Sequence, residues 1–162
     1  MVDVGWAAGL GVAAVLYGIL ADGDPSHRML VAAVAGIWSA RLALYVFFDR
    51  VYGKPEDGRY QTLRAKWGAS APWKSFVFFQ VQGLLDVILS LPFLAIALND
   101  DSGLSVWEYV GVLIWAAAVL GETAVDRQLA RFRGDPANKG KTCRVGLWRY
   151  SRHPNYFFEW LY

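Results

Sequence analysis

The residues best suited to chemistry lie in the C-terminal part of the chain and form two polar groups. Glu122, Asp126 and Arg133 are spaced i, i+4 and i+11, which places them on one stripe of a helix. Asn155 and Glu159 form a second group at i and i+4. Carboxylates and amides bind ribose hydroxyls and amide groups, and arginines bind phosphates. Two such stripes that face each other predict a pocket for a ligand carrying these groups.

A basic, glycine-containing loop, residues 133–152, joins the two polar stripes. Its charges would suit a ligand with phosphate groups. They would also suit a juxtamembrane loop that only sets topology and touches anionic membrane lipids. The spacing of the residues leaves both interpretations open.

Long apolar segments must position these groups. The chain has 162 residues, of which 56% are hydrophobic and 19% are charged, against about 25% charged in soluble domains. A helix needs about 20 apolar residues to cross a bilayer, and four segments fit: residues 4–21, 29–48, 76–98 and 104–124. Backbone groups in lipid must bond within their own segment, so all four are predicted to be helices. The expected fold is an all-α polytopic membrane protein.

The charged loops between these segments predict their orientation. Residues 49–75 and 126–152 are rich in lysine and arginine, whereas residues 22–28 and 99–103 are short and mostly acidic. Because positively charged loops stay on the cytoplasmic side, the two basic loops are predicted to be cytoplasmic.

A fifth apolar segment starts near the end of the chain. Pro154 suits the first turn of a helix. The segment after it is only about 13 Å long at 1.5 Å per residue, too short for a core of about 30 Å. We therefore expect four full spans and the start of a fifth in one membrane domain, residues 1–162, and we expect the natural protein to continue. Residues 122–162 form the predicted pocket region.

Two charged residues fall inside predicted spans, Arg41 in the second and Asp86 in the third. An intramembrane charge costs about 2.5–3.5 kcal/mol on insertion scales. These residues would form a substrate or proton site. Alternatively, they would be a structural pair, or Arg41 would extend its charged group to the membrane interface. Gly5 and Gly9 have the spacing of small residues that let helices pack closely.

Other classes of function find little support. A net charge of +2 is too small to favour nucleic acid. Cys143 is the only cysteine, which excludes an internal disulfide. His27 and His153 fall on opposite sides of the predicted membrane, and Cys143 has no partner at metal-ligand spacing, so no metal site is predicted.

Several motifs together suggest a family. The run GLWRYSRHPNYFFE, from Gly146 to Glu159, resembles the signature of the steroid 5-alpha-reductase-like membrane family, in its bacterial branch of largely uncharacterised proteins. The resemblance covers nearly the whole chain. The other matching motifs are DRQLARFR at 126–133, DPAN at 135–138, RLALY at 41–45 and GKPED at 53–57 with Arg59 and Tyr60.

This resemblance implies about seven spans in the full-length family, a bacterial inner membrane location and a cytosol-facing pocket for NADPH. Positions matching Asp126, Arg133 and Asn155 contact NADPH in reductases of the family, and the position matching Glu159 lines the same site. The remaining pocket residues that the resemblance implies are Arg152, His153, Tyr156 and, where the reductases have an asparagine, Glu122.

The chain also departs from the family pattern. Phe158 stands where members usually have glycine, and Trp38 stands where the steroid reductases have a catalytic tyrosine. Candidates for the missing proton donor are Tyr45, Asp3 and Asp86.

Three functions remain open at this stage. The first is an NADPH-dependent reductase acting on an activated double bond of a lipid-like substrate. The second is an S-adenosylmethionine-dependent methyltransferase of a lipid or prenylated substrate. It is suggested because Arg152, His153, Pro154 and Tyr156 are similar to the core motif of isoprenylcysteine carboxyl methyltransferases and phospholipid methyltransferases. The third is a non-catalytic subunit of a larger membrane complex.

Overall fold

The fold is helical and membrane-spanning. A computed structural model describes residues 2–55 and 58–161. These residues form six α-helices, with no strand among them. Four helices have the length and apolar composition needed to cross a membrane. The prediction of an all-α polytopic membrane protein is confirmed.

The helices extend beyond the apolar segments that predict them, because backbone hydrogen bonding continues into polar sequence. The longest is α5, which continues past residue 124 as far as Gly134. A π-helical turn, Phe47–Val51, prolongs the second helix. The helices are α1 (Val2–Leu20), α2 (Pro25–Val46), α3 (Gly58–Trp67), α4 (Ala71–Ala97), α5 (Val106–Gly134) and α6 (Pro154–Glu159).

The chain divides into two compact units. The first unit, Met1–Leu104, contains α1 to α4, and the second, Ser105–Tyr162, contains α5 and α6. The residues of the predicted nucleotide pocket all belong to the second unit. The three candidate proton donors all belong to the first.

Small residues let the helices of the first unit pack closely. The hydroxyl group of Ser39 on α2 donates a hydrogen bond to the carbonyl oxygen of Ala7 on α1. A Cβ built on Gly11 would overlap the Ser39 side chain, so α1 and α2 can approach this closely only with glycine at that position. Ala14 and Ala35 are buried in the same unit, in a cluster against which Phe93 packs. Such close backbone approach is a main source of helix association in membranes.

Polar contacts fix the other end of the first unit. Arg28 donates two hydrogen bonds to the end of α1. Its Nε donates to the carbonyl oxygen of Gly18 at 3.0 Å, and its Nη2 donates to the carbonyl oxygen of Ile19 at 2.8 Å. These bonds satisfy carbonyl groups at the end of α1 that have no partner within the helix. The backbone N–H of Asp24 donates to the carbonyl oxygen of Asn99 at 2.8 Å. The α1–α2 turn is thereby attached to the end of α4.

Asp24 makes the first unit sensitive to acid. Its carboxylate caps α2 by accepting the backbone N–H of Ser26 at 2.8 Å, which holds the pKa of Asp24 below its ordinary value of 3.8. A carboxyl group whose pKa is lowered by folding stabilises the protein above its unfolded pKa, and this contribution disappears as pH falls through the folded value. We expect the thermal midpoint to fall as pH drops from about 5 to about 3. In Asp24→Asn, which keeps a capping oxygen, the thermal midpoint should fall less over the same pH range. An Asp24→Asn protein with the full acid dependence would contradict this assignment.

Candidate functional site

Helix α5 carries the first predicted polar stripe. It starts with a capping box, in which the backbone N–H of Ser105 donates to the Glu108 carboxylate at 2.6 Å. Its 29 residues correspond to about 43 Å at 1.5 Å per residue, more than the roughly 30 Å of a bilayer core. Glu122 and Asp126 are both buried, with 5% and 7% of their surface exposed, whereas Arg133 is exposed. The stripe therefore has a buried acidic part and an exposed basic end.

The segment after α5 runs back along the helix that precedes it. The turn begins where the Asn138 amide donates to the Phe132 carbonyl oxygen at 3.1 Å. Further along, the backbone N–H of Leu147 donates to the side-chain oxygen of Gln128 at 2.9 Å. The indole N–H of Trp148 then donates to the carbonyl oxygen of Val125 at 2.9 Å. Each contact lies further back on α5, so the chain returns antiparallel to it.

Gly146 makes one of these contacts possible. Its φ is +57°, in the left-handed region that L side chains rarely adopt. A Cβ at this position would also overlap the Gln128 side chain, whose oxygen accepts the next backbone N–H. Glycine thus allows the chain to approach α5 closely enough for Gln128 to hold it.

The α5–α6 contact centres on Gly121 and Phe158. The ring of Phe158 occupies the place that a Cβ on Gly121 would take. Glycine at position 121 therefore leaves room for the Phe158 ring of the facing helix. Phe158 is half-buried, with its ring packed against α5.

Among the described residues of the predicted nucleotide pocket, Asn155 carries a buried polar atom that a ligand could satisfy. It lies three residues before Phe158, about one turn along α6 from the ring that packs against Gly121 of α5. The side-chain oxygen of Asn155 is buried and has no hydrogen-bond partner among the described residues. Buried acceptors in proteins are nearly always paired. A donor from a bound molecule would satisfy this oxygen.

The surroundings of Asn155 are polar and exposed. The rings of His153 and Tyr156 stack with centroids 5.0 Å apart and an interplanar angle of 19°. Arg152, His153, Tyr156 and Glu159 are all exposed. Among the described residues, no three His, Cys, Asp or Glu side chains gather closely enough to hold a metal ion. The arrangement suits an organic ligand with anionic groups, which the exposed arginines can reach.

Two candidate proton donors of the first unit, Asp3 and Asp86, lie in different surroundings. Asp3 accepts hydrogen bonds from Arg59 at 3.0 Å and from the Tyr60 hydroxyl at 3.2 Å. Asp86 lies beside Gly9, where an added Cβ would be 2.7 Å from Oδ2. Asp3 and Gly9 are about 9 Å apart along α1 at 1.5 Å per residue. Tyr45 is half-buried on α2.

Asp86 does not pair with Arg41. Among the described residues no ion pair joins the two, and Oδ1 of Asp86 is buried without a hydrogen-bond partner. Gly9, four residues after Gly5, has no side chain and therefore leaves room for the Asp86 side chain against α1. A Cβ added at Gly5, by contrast, would meet no atom of the described residues within 4 Å. Of these two glycines, only Gly9 therefore lies at a close contact.

Sequence reasoning missed the residues that hold the returning chain. Gln128 and Gly121 on α5 and Trp148 on the returning segment make these contacts, and none of them is charged. Gln128 and Trp148 lie within the motifs at 126–133 and 146–159, and Gly121, Val125 and Gln128 follow one another at i, i+4 and i+7. That pattern marks a single helix face.

Comparisons with known proteins identify a family but no activity. No curated protein and no solved structure matches the chain. A family profile described as a protein of unknown function (DUF1295) matches residues 1–162, the whole chain. With its long apolar helices and its returning C-terminal segment, this integral membrane protein belongs to the DUF1295 family.

Proposed function

We propose that this protein is a membrane-embedded, NADPH-dependent reductase of an activated double bond in a lipid-like substrate. The observation that supports the proposal is the buried side-chain oxygen of Asn155, which has no hydrogen-bond partner among the described residues and lies on a helix that packs against the one carrying the buried Asp126. The DUF1295 family is also linked to steroid 5-alpha-reductase-like proteins. In those reductases the positions matching both residues contact the nucleotide.

The residues present fit a dinucleotide. Asn155 and Asp126 offer acceptor oxygens for ribose hydroxyls or for the carboxamide N–H groups of nicotinamide. Arg133 and Arg152 are exposed and can each hold a phosphate in a two-pronged contact. The stacked rings of His153 and Tyr156 offer a flat surface beside them. Glu122 and Glu159 complete the polar surroundings of this pocket.

The bound nucleotide would supply a hydride to one carbon of the double bond, and a protein group would supply a proton to the other. The chain's own task is to orient the nucleotide through Asn155 and Asp126 and to hold the proton donor. Tyr45, Asp3 and Asp86 are the candidates for that donor. With basic residues predicted on the cytoplasmic side, the nucleotide would enter from the cytoplasm of a bacterial inner membrane.

The departure at position 158 does not oppose this proposal. The Phe158 ring packs on Gly121 in the α5–α6 contact. The Phe158 side chain is thus accommodated by α5. It does not bond to the side-chain oxygen of Asn155, one turn away, which has no hydrogen-bond partner among the described residues.

A ligand titration tests the proposal. The intact protein, purified in detergent, is heated with NADPH and separately with S-adenosylmethionine while its unfolding is followed. At a hundredfold excess over the dissociation constant, a ligand that binds only the folded state stabilises it by about 2.7 kcal/mol. We expect this gain with NADPH and its loss in Asp126→Asn.

Each other outcome supports a different function. Stabilisation by S-adenosylmethionine but not by NADPH would indicate the methyltransferase. Stabilisation by neither, together with co-purification in fixed proportion with another membrane protein, would indicate a non-catalytic subunit. An NADPH response that survives Asp126→Asn would contradict the assigned pocket.

A further inference from the structure

A cavity lies in the first unit, at the end where α1 begins and α2 ends. It has a volume of about 430 Å³ and is enclosed by the ends of α1, α2 and α4 and by the short helix α3. That volume lies in the range of roughly 300–1,000 Å³ typical of small-molecule sites. No residue of the proposed nucleotide pocket lines it.

One wall of the cavity is charged. Among the described residues, Arg50, Lys54 and Arg64 line it together with one carboxylate, that of Asp3. Arg50 lies 3.5 Å from Asp3, which also binds Arg59 and Tyr60. Asp3 therefore holds the arginines and the tyrosine in place, and the described lining keeps an excess of positive charge. Such a wall favours an anionic group.

Another part of the lining is aromatic and apolar. Trp67 at the end of α3 and Phe78 on α4 line the cavity, with ring centroids 6.3 Å apart, and Phe79 lines it beside them. Phe78 and Phe79 belong to the apolar part of α4, whereas Lys54 follows the apolar part of α2. The cavity thus lies at the boundary between apolar and charged sequence, where headgroups of a bilayer are found.

We propose that this cavity binds the phosphate headgroup of an anionic membrane lipid, with the adjoining glycerol and first methylene groups against Trp67 and Phe78. The charged wall matches the phosphate, and the aromatic wall matches the apolar part that must continue into the bilayer. A cavity of this size holds a headgroup, while the acyl chains extend outside it. The lining shares no residue with the proposed nucleotide pocket, and this proposal does not rest on the proposed function.

The test compares two double variants of the intact protein in detergent. Lys54→Gln with Arg64→Gln removes two charges from the cavity wall. Lys66→Gln with Lys74→Gln removes two charges from exposed positions that do not line it. Each protein is titrated with phosphatidylglycerol and with phosphatidylcholine, thermal unfolding is followed, and bound lipid is counted by native mass spectrometry.

We expect phosphatidylglycerol to bind the wild-type protein and the control variant alike, and to bind the cavity variant roughly tenfold more weakly or worse. Equal binding of both lipids to the wild-type protein, or equal binding of phosphatidylglycerol to both variants, would overturn the proposal. Displacement of phosphatidylglycerol by an equal concentration of inorganic phosphate would also overturn it, because the site would then take free phosphate. If the double cavity variant does not fold, Lys54→Gln and Lys66→Gln give the same comparison with a smaller expected difference.

Discussion

Replacing Asn155 with leucine is expected to weaken NADPH binding without weakening the fold. The side-chain oxygen of Asn155 is buried and unpaired among the described residues, and a buried unsatisfied acceptor costs about 1–3 kcal/mol. Leucine has nearly the same shape and no polar atom. The ligand-free Asn155→Leu protein should therefore be as stable as the wild-type protein or more stable. A residue with a purely structural role would show the opposite behaviour.

Thermal unfolding with and without NADPH measures both effects. At a concentration that gives the wild-type protein a gain of about 2.7 kcal/mol, a variant with tenfold weaker binding gains only about 1.4 kcal/mol. We expect Asn155→Leu to gain this much or less.

Asn99→Leu is the matched control for this measurement. The amide nitrogen of Asn99 lies 3.3 Å from Nε2 of His27, in the first unit. This variant should unfold at a lower temperature and keep the full response to NADPH. If Asn155→Leu instead lost stability and kept the NADPH response, Asn155 would have a structural role. The proposed function would then lose its main support.

The second large effect is expected at Gly121. Because the Phe158 ring occupies the position of a Cβ, Gly121→Ala should force the ring away from α5 and disturb the helix that carries Asn155. Overpacking of this kind typically costs about 1–3 kcal/mol. The thermal midpoint should fall, and NADPH affinity should fall with it.

A smaller residue at position 158 should reverse part of this loss. In the double variant Gly121→Ala with Phe158→Leu, the two changes are expected to couple favourably by about 0.5–3 kcal/mol, as contacting residues do. Gly111→Ala, on the same helix with nothing within 4 Å of the added Cβ, should leave the midpoint unchanged or raise it slightly. Additive effects of the changes at 121 and 158 would show that the two residues do not share this space.

The sequence predicted the spanning helices well because the physics that forms them is local. A bilayer offers no hydrogen-bond partners, so each apolar segment of sufficient length must satisfy its own backbone as a helix, whatever its neighbours are. Helical spacing alone also predicts that Glu122 and Asp126 lie on one stripe of a helix. The helix ends were less predictable. Helix α5 continues to Gly134 because polar sequence can extend a helix that hydropathy no longer marks.

The pairing of distant side chains could not be predicted in the same way. Arg41 and Asp86 are the only charges well inside their predicted spans, and their pairing was a reasonable hypothesis. In the structure Asp86 lies beside Gly9 of α1 instead. Which residue faces a given side chain depends on how three helices pack, and helical periodicity does not determine that packing.

The sequence by itself determined that this is a helical membrane protein, where its spans lie and which polar residues can share a helix face. Only the tertiary structure decided that the chain after α5 returns along it through Gln128 and Trp148, and that Gly121 makes room for Phe158. It also decided that Asp3, Arg50 and Tyr60 meet at a cavity. The physical reason is that backbone satisfaction in lipid acts within one segment, whereas these contacts join residues far apart in the chain and form only when the helices pack.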